Sequence, residues 1–395
     1  MSCNTLSTKI RQLKIKIQTA GDGCEWDAPA DADLIIGLEY GAVNNLETEN
    51  VESNIAKSTL SKETSQAGVR SVSMDVSFRV MGAGVAGYLA GDKINVHPLI
   101  IGNGNTPIAV YKIPVSAISV GFVKGEIVTG AIGTETATVV KDTESTDTFI
   151  LVKSASGAFQ AENLTGSISG AAVATGAATL GGNEYLPIST GHQKLSVIAE
   201  EFGNMRTELY NCVFVGAITH DDSGLASYAG QIIGALRVVG GVEQYRRDYA
   251  VVALDQDITI QPALFKNARY KIGSFSPVLS GTTTFDTATA ATQRRNANAE
   301  SGLEGMFIGD RIPVHSVRFE LVPNSDYDIY LDRLNVNTAI IQYYLGNTVG
   351  NVCYFHFPDA TPTASSDEDQ DNIAMVGATY ALSGSNDDEY SWLTY

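Results

Sequence analysis

Between Ser73 and Val80 the chain reads Ser-Met-Asp-Val-Ser-Phe-Arg-Val, polar and apolar residues alternating without a fault. A period of two is the period of a β-strand. It commits Met74, Val76, Phe78 and Val80 to a dry face and Ser73, Asp75, Ser77 and Arg79 to a wet one. A helix, with its period of 3.6, would scatter the same residues around its axis. The pattern returns at Ser316-Val317-Arg318-Phe319-Glu320-Leu321. Further β-type runs predict strands at 10–17, 34–40, 108–113, 195–198, 210–215, 231–239, 250–254, 258–260, 270–275, 340–344, 352–357 and 374–382. Helical spacing is confined to 84–89 and 327–334. The fold class is therefore expected to be mainly β, with a short helix in each unit.

The two alternating strands belong to a wider repetition. Each follows a strand (34–40; 270–275) and a long polar stretch (42–68; 280–302), and Phe78 and Phe319 stand 241 positions apart. Further on, Gly203-Asn204 meets Gly346-Asn347, Phe214 meets Phe357, Ala217 meets Ala360 and Gly234-Ala235 meets Gly377-Ala378, all at an offset of 143 without a gap. The offset falls from 241 to 143, so the first copy holds 98 extra residues. Much of that excess, 121–182, is dense in Gly, Ala and Thr, with strand signals at 126–129, 137–140 and 149–152. Within it Glu126-Ile127-Val128-Thr129-Gly130 is echoed by Glu162-Asn163-Leu164-Thr165-Gly166, 36 residues later. A small β barrel on the outside of the first copy is expected here, because structureless loops of this length are uncommon in compact domains. The expected organisation is two tandem β-sandwich or barrel units, 1–120 with 183–250 and 251–395, each with a short helix and a long loop, plus a small inserted β domain at 121–182.

Composition removes several functions. Acidic residues number 44 and basic residues 26, a formal net charge of −18, which argues against a protein that grips nucleic acid by its phosphates. Residues 1–17 carry Lys9, Arg11, Lys14 and Lys16 and no apolar block, so a secretory signal is not expected. No apolar run approaches the ~20 residues of a membrane helix. Cys3, Cys24, Cys212 and Cys353 are isolated and read as ordinary thiols of a protein made in a reducing cytoplasm.

The motifs that suggest chemistry fail on context. Gly82-Ala83-Gly84-Val85-Ala86-Gly87 has the GxGxxG form, but a dinucleotide site needs a longer helix and a second strand ending in an acid about 20 residues on. Asp367-Glu368-Asp369-Gln370-Asp371 begins like a calcium loop yet lacks the glycine and the twelfth-position Glu; a solvated hairpin connection is expected instead, matching Asp221-Asp222-Ser223-Gly224. There is no GxSxG elbow, and His97, His192, His220, His315 and His356 form no catalytic pattern. With only Trp26 and Trp392 to stack on sugars, a carbohydrate-active protein is a distant reading. No enzyme, catalytic residue, cofactor or metal is expected. The two polar stretches sit at the same place in both copies, and docking onto a neighbouring subunit is their expected role.

Three features carry a resemblance: the long loop followed by Val72–Val80 and a Gly-rich bend, the strand pair from Gly203-Asn204 to Phe214-Val215-Gly216, and Ala297–Arg311 with Ser301-Gly302 and Asp310-Arg311. Together they resemble the major tail tube proteins of long-tailed bacteriophages, over most of the chain outside the insert. The resemblance implies a structural virion protein of the tail, assembled in the host cytoplasm, whose stacked rings form the hollow channel for DNA ejection. A duplicated chain implies homotrimeric rings with pseudo-sixfold symmetry, helically stacked, with a homohexamer as the alternative. It also implies contacts with a tape measure protein and tail-end proteins, transient passage of double-stranded DNA without specific binding, no membrane, and an insert that decorates the outside. Under this reading the wet faces, Ser73, Asp75, Ser77 and Arg79 with Arg318 and Glu320, line the lumen, where net acidity keeps DNA from sticking. The loops that contact the adjacent ring hold Asn44, Glu47, Asn54, Lys57 and Lys62 in one copy and Thr283, Arg294, Arg295 and Asn296 in the other. Another virion or surface β module, a capsid decoration or fibre protein, is the alternative.

Overall fold

The computed structural model describes residues 11–18, 26–39, 43–51, 66–81, 95–168, 170–201, 204–221, 224–239, 242–243, 245–250, 252, 254, 268–298, 302–346 and 350–395. The chain is mainly β. In chain order the first part holds β1 (Arg11–Ile17), β2 (Val43–Val51), β3 (Gln66–Arg79), α1 (His97–Gly102) and β4 (Asn105–Val120). Five short strands follow, β5 (Ile127–Gly130), β6 (Thr136–Val139), β7 (Phe149–Lys153), β8 (Asn163–Gly166) and β9 (Ala171–Ala174). The chain then returns through β10 (Thr179–Pro187), β11 (Leu195–Glu201), β12 (Met205–His220) and β13 (Ser227–Leu236), and through three two-residue strands, β14 (Val238–Val239), β15 (Val242–Glu243) and β16 (Arg247–Asp248). The second part holds β17 (Arg269–Ile272), β18 (Thr283–Asp286), β19 (Thr289–Arg295), β20 (Leu303–Arg311), β21 (Val314–Glu320), α2 (Ile329–Asn335), β22 (Ala339–Leu345), β23 (Cys353–Gln370), β24 (Ile373–Ser383) and β25 (Ser391–Thr394).

Two sheets share one strand order. The first runs β1–β11–β12–β13–β3–β2 and the second β17–β22–β23–β24–β21–β18, all antiparallel. The offset of 241 holds to the residue: Leu38 bridges Phe78 as Leu279 bridges Phe319, and Val43 pairs with Asp75 as Thr284 pairs with Ser316. The alternating strands are as expected, with Met74, Val76, Phe78 and Val80, and Val317 and Phe319, buried in a core that both sheets share.

The gapless offset of 143 does not survive. Phe78 pairs with Tyr228 while Phe319 pairs with Val376, so the partner strand is displaced by 148 positions, not 143. The turn from β22 to β23, 346–352, is longer than 202–204, and the identities beyond it fall on unequal places. In a chain rich in Gly and Ala such coincidences come easily. Residues 34–39 make only bridges at Leu34, Ile35 and Leu38, 250, 252 and 254 lie outside any strand, and 40, 251, 253, 258–260 and 84–89 lie outside the described residues. The helix α1, buried from Pro98 to Gly102, carries no sequence signal, because its six residues are too few to show a helical period.

The described parts of the polar stretches are mostly strand, not loop. Residues 43–51 form β2, an edge strand on β3, and 283–311 hold β18, β19 and β20. Asn and Glu are poor strand formers, so Val43-Asn44-Asn45-Leu46-Glu47 carries little strand signal of its own; pairing with β3 decides its conformation.

The inserted strands close into a six-strand barrel in the order β4–β7–β6–β5–β8–β9, back to β4, around its own apolar core. Its wall includes 111–120 of β4, so one long strand belongs to both sheet and barrel. The echo at 36 residues is structural: β5 and β8 pair at Thr129↔Thr165, 36 apart. Glu126 accepts the N–H of Ile168 at 2.8 Å, and Glu162 accepts that of Ile132 at 2.7 Å. The barrel does not simply hang from the first half. Glu184 on β10 accepts Lys124 (2.7 Å) and Lys153 (2.5 Å) from the barrel and Ser391 (2.7 Å) from β25, while Phe149 and Leu151 pack with Tyr354 and Tyr395. Burial alone would raise the Glu184 carboxyl; the two lysines outweigh it and hold it at about 2.

Candidate assembly site

The two sheets are joined edge to edge. β12 gives 205–212 to β11, then lets 217–220 pair with β18: Ala217↔Asp286, Ile218↔Phe285, Thr219↔Thr284, His220↔Thr283. β18 is thus shared, with β21 on its other side. Two buried histidines flank it. His315 on β21 lies 3.1 Å from the Thr284 carbonyl through Nδ1 and 2.8 Å from the Tyr270 hydroxyl through Nε2. A carbonyl only accepts, so Nδ1 carries the proton and Nε2 accepts from Tyr270. His220 bonds Tyr343 and stacks on its ring. Burial lowers both imidazoles, His220 to about 4 and His315 to about 3, so both are neutral at pH 7.

Two strand edges lack the partner their counterparts have. β2 corresponds to β18 at the offset of 241, yet among the described residues it pairs only with β3. On β23, residues 361–370 pair with β24, while the opposite side has no strand among the described residues beyond Ala360. Ile218 pairs with Tyr228 and Asp367 pairs with Val376, so Asp367 stands where Ile218 stands in the internal joint. The acidic run is therefore an exposed edge of a hairpin closed by Asp371-Asn372, whose φ values of 54° and 68° suit a tight hairpin turn.

The wet faces lie where alternation put them, with partners. Asp75 and Arg79 are exposed and Ser77 half-buried, while Ser73 is buried at 8%. Glu39 accepts from Ser77 at 2.6 Å and from Arg79 at 3.3 Å, and Gln231 donates to Asp75 at 2.8 Å. Arg318 is 2.7 Å from Glu368 across the bare backbone of Gly377, where a Cβ would come within 2.5 Å of that carboxylate; Glu320 is half-buried on the same strand.

Of the loop residues, Asn44 and Glu47 lie on β2, and Asn54, Lys57 and Lys62 fall outside the described residues. Thr283 is not in a loop: it is buried in the joint opposite His220. Arg294 and Arg295 are exposed on β19, Arg294 3.1 Å from Glu304, and Asn296 begins the turn to β20. That hairpin lies on the first half of the same chain, with Leu303, Met306 and Ile308 against Val213 and Ala235. The joint itself was missed. Its one sequence signal is the offset of 241 carried on to 283–286 and 42–45, where few residue types coincide.

Among the described residues no cluster of His, Cys, Asp and Glu is arranged to hold a metal ion, and no helix is long and apolar enough to cross a membrane. Cys212 and Cys353 are buried free thiols, Cys353 pushed up to about 12 by burial; Cys3 and Cys24 lie outside the described residues, as does Gly82–Gly87.

No family model matches the chain, and no curated protein does. One solved structure, described as "Crystal structure of HCR/D-Sa-GBL1/C", is 8% identical over 90% of this chain and 94% of its own, at a TM-score of 0.10, which carries no argument about fold or function.

Proposed function

We propose that this chain is a structural protein that assembles with copies of itself, head to tail, into closed rings, and that the rings stack into the tube of a phage tail. The observation that carries this reading is the internal joint: two units of one strand order already add edge to edge, and among the described residues one edge of each kind is left unpaired. Repeating the joint between copies pairs Val43, Asn44 and Asn45 of one with Glu368, Asp367 and Ser366 of the next. Such an interface is heterologous and closes only as a ring, and three chains give six units. The wet faces, Asp75, Ser77 and Arg79 with Arg318 and Glu320, then line a channel, and the excess of acid over base repels DNA in transit. The barrel, built from the inserted residues and the end of β4, decorates the outside of the ring while staying anchored to β10 and β25. Tape measure and tail-end proteins would be the partners at the tube ends, in a virion assembled in the host cytoplasm. No catalytic step belongs to this reading.

Electron microscopy and sedimentation of the purified chain test it. Rings or tubes with a central hole are expected, and a chain that stays monomeric at every concentration would refute it. Removing 44–67 takes away the β2 edge while β3 keeps β13 as its partner. The expected product has an unchanged circular dichroism spectrum and no rings.

A further inference from the structure

The helices of the two units differ in what covers them. In α1 every residue from Pro98 to Gly102 is buried. In α2 only Ile329 is, while Leu331 is 49%, Leu334 79% and the following Val336 69% exposed. The end of α1 is covered by the other half of the same chain: the Asn103 amide donates to the Thr287 hydroxyl at 2.8 Å, and Ile308 of β20 closes on Gly104. Asn103 is the C-cap of α1 and Val336 the C-cap of α2. Thr287 stands 241 positions beyond Leu46, the offset that relates the two sheets residue by residue.

We propose that the exposed end of α2, Val336 and Leu334, is the docking point for Leu46 of a second copy of this chain. This rests on the copy-to-copy joint proposed above and gives it a side-chain contact. If the neighbour's β2 enters beside β23 as β18 enters beside β12, Leu46 arrives at Val336 as Thr287 arrives at Asn103. The chemistry changes as a pair: amide and hydroxyl inside the chain, leucine and valine between chains. Each half of the swap matches its own partner. Leu46 facing Asn103 would leave its buried amide with the Tyr228 hydroxyl but no acceptor for the second N–H, and Thr287 facing Val336 would leave the apolar patch unburied. The contact therefore tells the joint between copies from the joint within one, which keeps the units in alternate order around a ring. Val336 also holds φ at 55°, a left-handed conformation rarely taken by a β-branched residue, with its side chain turned to solvent. Leu46, 38% exposed on an edge strand, is the matching apolar group.

Crosslinking two singly marked chains tests the contact. In a Cys3→Ser, Cys24→Ser background, one chain carries Leu46→Cys and another Val336→Cys; both positions are exposed, so both chains are expected to fold. Mild oxidation of the mixture should give covalent dimers, and oxidation of either chain alone should not. Leu46→Asp should raise the concentration needed for assembly roughly tenfold or more, as the loss of one buried leucine requires. Assemblies of normal size and affinity without crosslinks would overturn the docking point while leaving the joint standing. A wild-type chain that never assembles would overturn the joint and the docking point with it.

Discussion

Single residues set how closely the strands of the shared sheet can lie. Gly216 faces Gly230 across β12 and β13, and a Cβ on Gly230 would come within 2.1 Å of the Val215 carbonyl oxygen. That obstacle is backbone, held by the ladder to β13, and it cannot rotate away as a side chain would. Gly230→Ala is therefore expected to lower stability by about 1–3 kcal/mol in urea unfolding. An unchanged midpoint would mean that the two strands part freely at this row. The need for glycine here is invisible in the sequence, where Gly216 and Gly230 are two among 38. By contrast the dry face of β3 was legible residue by residue, because alternation is a local property of the chain and burial of Met74, Val76 and Phe78 follows from it.

At the scale of elements, β18 is the seam, and its histidines make it sensitive to acid. His220 is lowered to about 4 and His315 to about 3 from an ordinary value of 6.5, so the unfolded chain binds protons that the fold refuses. Their contribution is complete above pH 6.5 and is lost as pH falls from there through the folded values. The groups facing them are Asp221 beside His220, and Tyr270, Tyr343 and Tyr380 around the pair; Asp221 holds the His220 value up slightly, and His220 pushes that of His315 down. Hydrogen exchange of the amides of 283–286, followed from pH 7 to pH 4, should accelerate beyond the intrinsic trend, and His315→Gln should flatten that response. Unchanged protection over the range would rule the seam out as the acid-labile element. The barrel teaches a related lesson. Its 36-residue echo was readable, but its docking was not, since Ser391 and Tyr395 stand more than 200 positions beyond the insert and only the fold brings them to Glu184 and the barrel.

For the whole molecule, charge and edges act against each other. A net charge of −18 on every copy opposes bringing copies together, and the β23 edge offered to a neighbour carries Asp367, Glu368 and Asp369. If rings form as proposed, assembly should strengthen as salt rises from about 10 mM to 150 mM, over which the screening length falls from ~30 Å to ~8 Å. Light scattering at fixed protein concentration reads this directly. Assembly that weakens with salt would point to an attractive ionic interface that the described edges do not contain.

What the chain determined by itself is periodic and local: a mainly β fold, two copies of one unit at an offset of 241, and a barrel built of two echoing halves. Each is a pattern among near neighbours or a repeat of one, and solvent selects such patterns whatever the rest of the chain does. Only the tertiary structure decided which edges are consumed and which are left open. Hydrogen bonds between strands are made by backbone groups that every residue carries, so Thr283 opposite His220 and Asn44, without an outer partner among the described residues, read alike until the strands are in place. The same reason placed 43–51 and 283–286, read as loop, in strands, and made 283–286 the strand that joins one unit to the other.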